Sequence, residues 1–294
     1  MEICHVPTLS ARSADCGRLF DLWRRYGREK IHVTFDFSQC HFLRPQAVAF
    51  LGGLVRLIEY RGGSVCFLWA TLKPAIWACL AQNGFMQTFG GPQGPWTGTA
   101  VPYLEHRRAD AVAFDHYARS HWLGRGWVKA HPELMSEVVG TVGEIYVNAF
   151  EHAGSVVGVH GCGQFFPSLS ILSLTLVDFG VGIPAKVRRF HGPASSEHWR
   201  DGDRCLEWAF ARGNSTRGGS VSGGLGLDTL RDFVFASQGS LEIHSHESRA
   251  IMRKDRTKYA ICDDYFEGTM ITIRLRSSPA YYQLGSARAT FHPF

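Results

Sequence analysis

No stretch of the 294 residues approaches the roughly 18 to 20 uninterrupted apolar residues that a membrane-spanning helix needs. The opening segment MEICHVPTLSARSADC lacks the basic-then-apolar order of a secretory signal. The eight cysteines, at 4, 16, 40, 66, 79, 162, 205 and 262, contain no CxxC pair. Several lie inside apolar runs such as SVCFLW and AIWACLA, where a thiol serves as a small core hydrophobe. A disulfide framework and a zinc site are therefore not expected, and a reducing cytoplasm is the expected setting. His160 and Cys162 offer two metal ligands, but nothing nearby completes a set, so this pair is expected in the turn of a hairpin. Basic runs and aromatic-basic stripes are also missing. A net charge of +5 admits a nucleotide as partner and does not call for nucleic acid. Internal repeats and low-complexity tracts are absent.

Hydrophobic residues make up 45% and charged residues 19%, a globular composition with length for two ordinary domains. In the first half, IHVTFDF alternates as a strand does, and QAVAFLGGLVRLIEYRGG repeats its apolar residues at helical period before two glycines stop it. SVCFLW reads as a short buried strand, and PAIWACLAQNG as a helix opened by Pro74. Strand, helix, strand, helix predicts a small α/β layer domain over residues 1–90. The Gly- and Pro-dense GGPQGPWTGTAVP opens a linker, with a connecting helix expected within residues 91–130.

The second half, residues 131–294, opens with a helix from Pro132 to about Gly154. Residues 156–180 read as strand, turn, strand, with LSILSLTLVDF the clearest β-run in the chain. DTLRDFVFAS is helical, and SLEIHS and GTMITIRL read as closing strands, so helices are expected on one face of a mixed, mostly antiparallel sheet. Glu144 and Asn148 stand four apart, a carboxylate and an amide on one helix face, suited to polarising a water and to ligating Mg²⁺. Asp178-Phe-Gly180-Val-Gly182 ends the apolar strand by presenting one acceptor where the backbone can turn closely around a ligand. Gly223-Gly224-Leu225-Gly226-Leu227 stands before a helix, where bare backbone N–H groups can meet a phosphate. No GK[ST] follows, so it is not a Walker loop, and no parallel βαβ unit makes it a dinucleotide fingerprint. Singly, these motifs equally describe an exposed helix face, a β-turn and a flexible loop.

Their order is the stronger signal. EIYVNAFEHAG, LVDFGVGIP, GGLGL and GTMITIRL, taken together over about residues 130–276, resemble the motifs of the GHKL (Bergerat-fold) ATPases. That group includes gyrase-type and chaperone ATPases, sensor histidine kinases and the serine-kinase anti-sigma factors. The resemblance implies an α/β sandwich that binds ATP with Mg²⁺. It assigns Mg²⁺ coordination to Asn148, acceptance of a hydrogen bond from the adenine amino group to Asp178, and the borders of the base pocket to Gly180 and Gly182. Asn214 through Gly226 takes the place of the ATP lid, with Thr216 within it, Arg217 a charge partner, Gly223, Gly224, Leu225 and Gly226 its last residues, and Leu227 closing the glycine motif. Thr269 takes the pocket floor, His152 the histidine that follows the asparagine in many histidine kinases, and Glu144 the acidic residue that activates water or a substrate serine. Gyrase-like members need a further domain with a phosphate-binding lysine, for which the residues after 276 leave no room. A dimerising helical hairpin with a phosphorylatable histidine is not legible in residues 103–130, despite His106, His116 and His121.

More faintly, residues 1–90 resemble a STAS domain, the fold of anti-sigma-factor antagonists. The position of its phosphorylated serine falls on Arg44-Pro45-Gln46, and Pro45 has no hydroxyl, so a scaffolding, dimerising or partner-docking role is implied. The expectation is an ATP/Mg²⁺-binding regulator, an ATPase whose nucleotide state controls a protein partner or homodimer. A protein serine kinase and a non-enzymatic nucleotide sensor are the alternatives.

Overall fold

The computed structural model describes residues 1–10, 14–95, 98–151, 153–192, 197–211, 214, 225–254, 256–278, 281–284 and 289–292. The first half runs β1 (Glu2–His5), α1 (Ala14–Tyr26), β2 (His32–Asp36), α2 (Pro45–Tyr60), β3 (Ser64–Leu68), α3 (Pro74–Gln82) and α4 (Phe85–Thr88). Its three strands form a parallel sheet in the order β1-β2-β3. Parallel strands need crossovers, which α1 and α2 supply. Pro45 opens α2, where a missing N–H costs nothing, and α2 is apolar nearly all round. A helix of that kind must be covered on both sides, and thirteen of its sixteen residues are buried.

What lies on its far side differs from a two-domain expectation. Residues 91–130 do not form a linker with a connecting helix. They contain β4 (Ala100–His106), α5 (Ala111–Tyr117) and a π-helical turn over Ala118–Leu123. β4 is an edge strand of the large sheet, because its alternating residues reach a neighbour that the sequence places more than fifty positions later. The chain continues through α6 (Pro132–Glu151), β5 (Val159–Phe166), β6 (Ile171–Asp178), α7 (Gly182–His191), α8 (Gly202–Ala209) and α9 (Leu225–Ala236). It closes with the long hairpin β7 (Ser240–Arg253) and β8 (Arg256–Arg276), then β9 (Tyr281–Leu284) and β10 (Ala289–His292). The large sheet has five strands in the order β4-β5-β6-β8-β7, and every pair is antiparallel rather than mixed.

Helices cover both faces of this sheet, not one. α6 and α9 pack on the side that carries Leu172, Leu174, Ile243 and Ile273. α1 and α2 pack on the other, so one continuous core runs from Val33 and Phe35 through Phe50 to Val177, Phe179 and Phe266. At its centre Phe266 lies 5.2 Å from Phe20, 4.9 Å from Phe50 and 5.2 Å from Phe179, ring centre to ring centre. Such aromatic pairs add about 0.5–1.5 kcal/mol each beyond the area they bury. Gly53 permits the close seating: a Cβ there would lie 2.1 Å from the Phe179 ring and 2.8 Å from His160.

Two smaller expectations also change. His160 and Cys162 lie within β5, not in a turn, and both are buried. His160 donates from Nε2 to the Val157 carbonyl and accepts from the Tyr103 hydroxyl at Nδ1, 2.9 Å away. Burial pushes its pKa down to about 3, so the ring is a neutral core group. Among the described residues no group of three His, Cys, Asp or Glu side chains is placed to hold a metal. β3, expected as a buried strand, is instead an edge whose residues alternate between exposed and half-buried. No helix of the described residues is long and apolar enough to cross a membrane.

Candidate functional site

The α6/α9 side of the large sheet opens into a cleft with room for water over about 190 Å³. One water needs only roughly 10–15 Å³, so the space is larger than a packing defect and can admit a ligand. Its walls are apolar: Ile145 of α6, Leu176 of β6, Ile183 and Val187 of α7, and Ile271 of β8. Asn148, Asp178, Gly182 and Thr269 line it together, so four residues separated by up to 121 positions in sequence (269 − 148) converge on one space.

Asp178 is the last residue of β6, directly opposite Thr269 of β8. It is only 5% exposed. Burial raises its pKa to about 7, while hydrogen bonds from Gly180 and from the backbone and hydroxyl of Thr269 hold it from rising further. The Gly180 N–H donates to Asp178 Oδ1 at 2.9 Å. A carboxyl group at the end of a strand, among aliphatic side chains, can accept a hydrogen bond from a flat, donor-bearing ring slid between those walls.

The turn after Asp178 is fixed from β7. Gly182 has φ +70°, and a Cβ there would lie 2.6 Å from His246. Both facts restrict the position to glycine. The Ile183 N–H donates to Ser245 Oγ at 2.9 Å, Ser245 Oγ donates to the Gly268 carbonyl at 2.7 Å, and His246 Nε2 donates to the Val181 carbonyl at 2.7 Å. His246 takes a left-handed φ of +54°, at a register shift where β7 bulges against β8. The bulge re-aims Ser245 and His246 at the turn. Sequence reading missed both, because nothing in SLEIHSHES marks where a ladder will slip.

Among the lining residues that sequence reading missed, two stand out. Lys186, one helical turn after Gly182, is the one cation among the described lining residues, and Trp208 of α8 adds an aromatic wall. The four-residue step from Gly182 was a usable signal for Lys186. Trp208 had none.

Glu144 stands one turn before Asn148 on α6, is exposed, and is not among the residues lining the cleft. Gly180 acts through its N–H and does not line it either. Leu225, Gly226 and Leu227 lie in the first turn of α9 rather than in a loop before it. His152, Thr216, Arg217, Gly223 and Gly224 fall outside the described residues. Asn214, at the start of the expected lid, does line the cleft, and its side-chain amide donates to the Trp208 carbonyl.

The chain matches no protein-family model, and a search of the curated proteins gives no match.

Proposed function

We propose that the cleft binds an adenine nucleotide, ATP with Mg²⁺, and that the protein is a nucleotide-dependent regulator resembling the GHKL ATPases. The observation that carries this reading is Asp178: a buried carboxyl group at the floor of an apolar slot, braced by the Gly180 N–H and by Thr269. Purine rings supply what that slot lacks, two flat apolar faces and an amino group that donates in plane. The aliphatic walls would take the faces, and Asp178 would take the amino hydrogen. Asn148 and Lys186 extend the polar lining to which the phosphates would run.

Asn148 is the residue that would hold Mg²⁺. This ion keeps several waters and needs few protein ligands beside phosphate oxygens, so the amide oxygen of Asn148 would serve as a ligand although the described residues form no protein cage. When bound, the ion neutralises phosphate charge; the chain's own task is to orient the base and exclude water from it. If turnover follows, Glu144 is the side chain on α6 placed one turn from Asn148 to orient a water or a substrate hydroxyl. Glu144→Ala is expected to lower phosphate release by roughly 100-fold or more while ATP affinity stays unchanged. Equal turnover in variant and parent would remove Glu144 from catalysis. Radiolabel passing from ATP to a protein rather than to free phosphate would assign a kinase.

The pH dependence tests the binding reading. In the folded protein the Asp178 pKa of about 7 lies above its ordinary value of about 3.9. The protonated form is thus the favoured one when the cleft holds no ligand. Its contribution to stability is complete below pH ~4 and is lost as pH rises towards 7. A ligand that donates to Asp178 favours the ionised form and reverses the sign. ATP affinity is expected to level off above pH 7 and to fall by roughly tenfold per unit below it, with proton release on binding at pH 6. Calorimetry in two buffers of different ionisation heat measures that release. The same profile in Asp178→Asn would overturn the assignment, because the phosphates of ATP titrate in both proteins and Asp178 in only one.

A further inference from the structure

β3 is the edge of the three-stranded parallel sheet: β2 pairs along one side of it, α2 packs against it, and its Phe67 ring meets Phe85 of α4 and Phe89. Its backbone pattern can be read from one hydrogen bond. The Ser64 N–H donates to the Ile31 carbonyl beyond β2, so Ser64, Cys66 and Leu68 turn their backbone groups inward. In a strand the alternate residues face the other way, which leaves the N–H and C=O of Val65 and Phe67 along the open edge.

Proteins ordinarily blunt such an edge with a charge, a proline or a bulge. None is present here. No charged residue or proline occurs between Arg61 and Lys73, and the β2–β3 register runs without a shift. The inward side chains at the edge keep part of their surface exposed, even though Phe67 packs against the rings of Phe35, Phe37, Trp69, Phe85 and Phe89. Val65 and Phe67 are half-buried, whereas Val33 and Phe35, their partners on β2, are fully buried.

We infer that β3 pairs with β3 of a second copy of this chain, antiparallel about a two-fold axis through Cys66. The five residues Ser64–Leu68 are self-complementary under that operation. Val65 of one copy stands opposite Phe67 of the other, and the two exchange both of their open backbone hydrogen bonds, twice over by symmetry. Each completes the cover over the other's inward side chain. Ser64 meets Leu68, and Cys66 meets its own copy. Cys66 lies at a position whose backbone groups are already used by β2, so the two cysteines form the non-hydrogen-bonded pair. Their Cα atoms would then stand about 4.5 Å apart, within the range a disulfide spans. The occupant is a second copy rather than another protein because the edge matches itself in length, charge and hydrogen-bond phase. This inference is independent of what the cleft binds.

Cys66 also supplies the readout, being the one exposed cysteine of the eight. The full-length protein is expected to sediment as a dimer in reversible exchange with monomer. Brief treatment with copper phenanthroline is expected to give a disulfide-linked dimer, each thiol losing a proton and an electron, with copper(II) as the electron acceptor. Cys66→Ser should remove the linked dimer without removing the reversible one. Cys66→Glu, on the exposed face, sets like charges directly opposite each other and should shift sedimentation to monomer. Val65→Pro removes an outward N–H that β2 does not use and should do the same. A parent protein that is monomeric at every concentration, a dimer that survives both Cys66→Glu and Val65→Pro, or crosslinking that persists in Cys66→Ser would each overturn the proposal.

Discussion

Replacing Asp178 with alanine is expected to weaken ATP binding by roughly 10- to 150-fold, the factor that corresponds to losing a hydrogen bond to a charged acceptor worth about 1.5–3 kcal/mol. The conservative Asp178→Asn is the sharper experiment, because it makes two quantities move in opposite directions. Asparagine keeps an oxygen for the Gly180 N–H, but its amide NH₂ cannot accept from the amino group of a base. Affinity should therefore still fall. The ligand-free protein, however, should become more stable above pH 7, since a carboxylate that burial disfavours has been replaced by a neutral group. A purely structural aspartate would behave otherwise: its replacement would lower stability and leave no separate effect on affinity. Thermal unfolding with and without ATP/Mg²⁺, at pH 8, reads both quantities in one series. A variant that loses stability and keeps ATP affinity would sink the base-recognition role.

Gly53→Val is expected to cost the most stability of any substitution considered. A Cβ at this position alone would sit 2.1 Å from the Phe179 ring, and valine adds two more methyl groups. Replacing glycine inside a helix ordinarily gains, by about 1 kcal/mol for alanine. That gain is outweighed where the neighbour cannot retreat, and Phe179 is held by Phe50, Phe266 and His160 on its other sides. Overpacking of this kind costs about 1–3 kcal/mol and occasionally more. A fall in Tm of roughly 2–10 °C is expected, at about 2–4 °C per kcal/mol for a chain of this size. Gly140→Ala is the control, on an exposed position of α6 with nothing within 4 Å of the added carbon, and should raise Tm slightly. Because Phe179 adjoins Asp178, Gly53→Val should also weaken ATP binding, and Phe179→Leu in the same chain should restore part of both losses. A Tm unchanged in Gly53→Val would mean that α2 does not seat against the sheet as described.

The residues that converge on the cleft illustrate which parts of the site were legible and which were not. Asp178 was legible because a strongly apolar β-run ends on a carboxylate followed by two glycines, a local pattern with a local cause. Asn148 was legible from helical period, which put it on a defined face of α6. Thr269 came only with the order of the motifs, and its register opposite Asp178 is a property of the β6–β8 ladder. Ser245 and His246 were not legible, since their role follows from a bulge set by how two long strands twist against each other. Glu144 shows the limit of spacing arguments: the four-residue step to Asn148 is real, but the cleft begins beyond it.

By itself the sequence determined most of the elements and their kinds, because hydrophobic period, Pro at helix starts and Gly at helix ends act within a few residues. It located the strand that ends in Asp178 and the helix that carries Asn148. Only the tertiary structure decided where those elements go. β4 left the expected linker for the edge of the large sheet, and α2 became a layer shared between two sheets. Burial is the reason. A helix apolar nearly all round has no stable position at a domain surface, and its sequence states that it must be covered without stating by what. The second sheet supplies the cover, and in doing so it sets Phe179, and with it Asp178, against the N-terminal half of the chain.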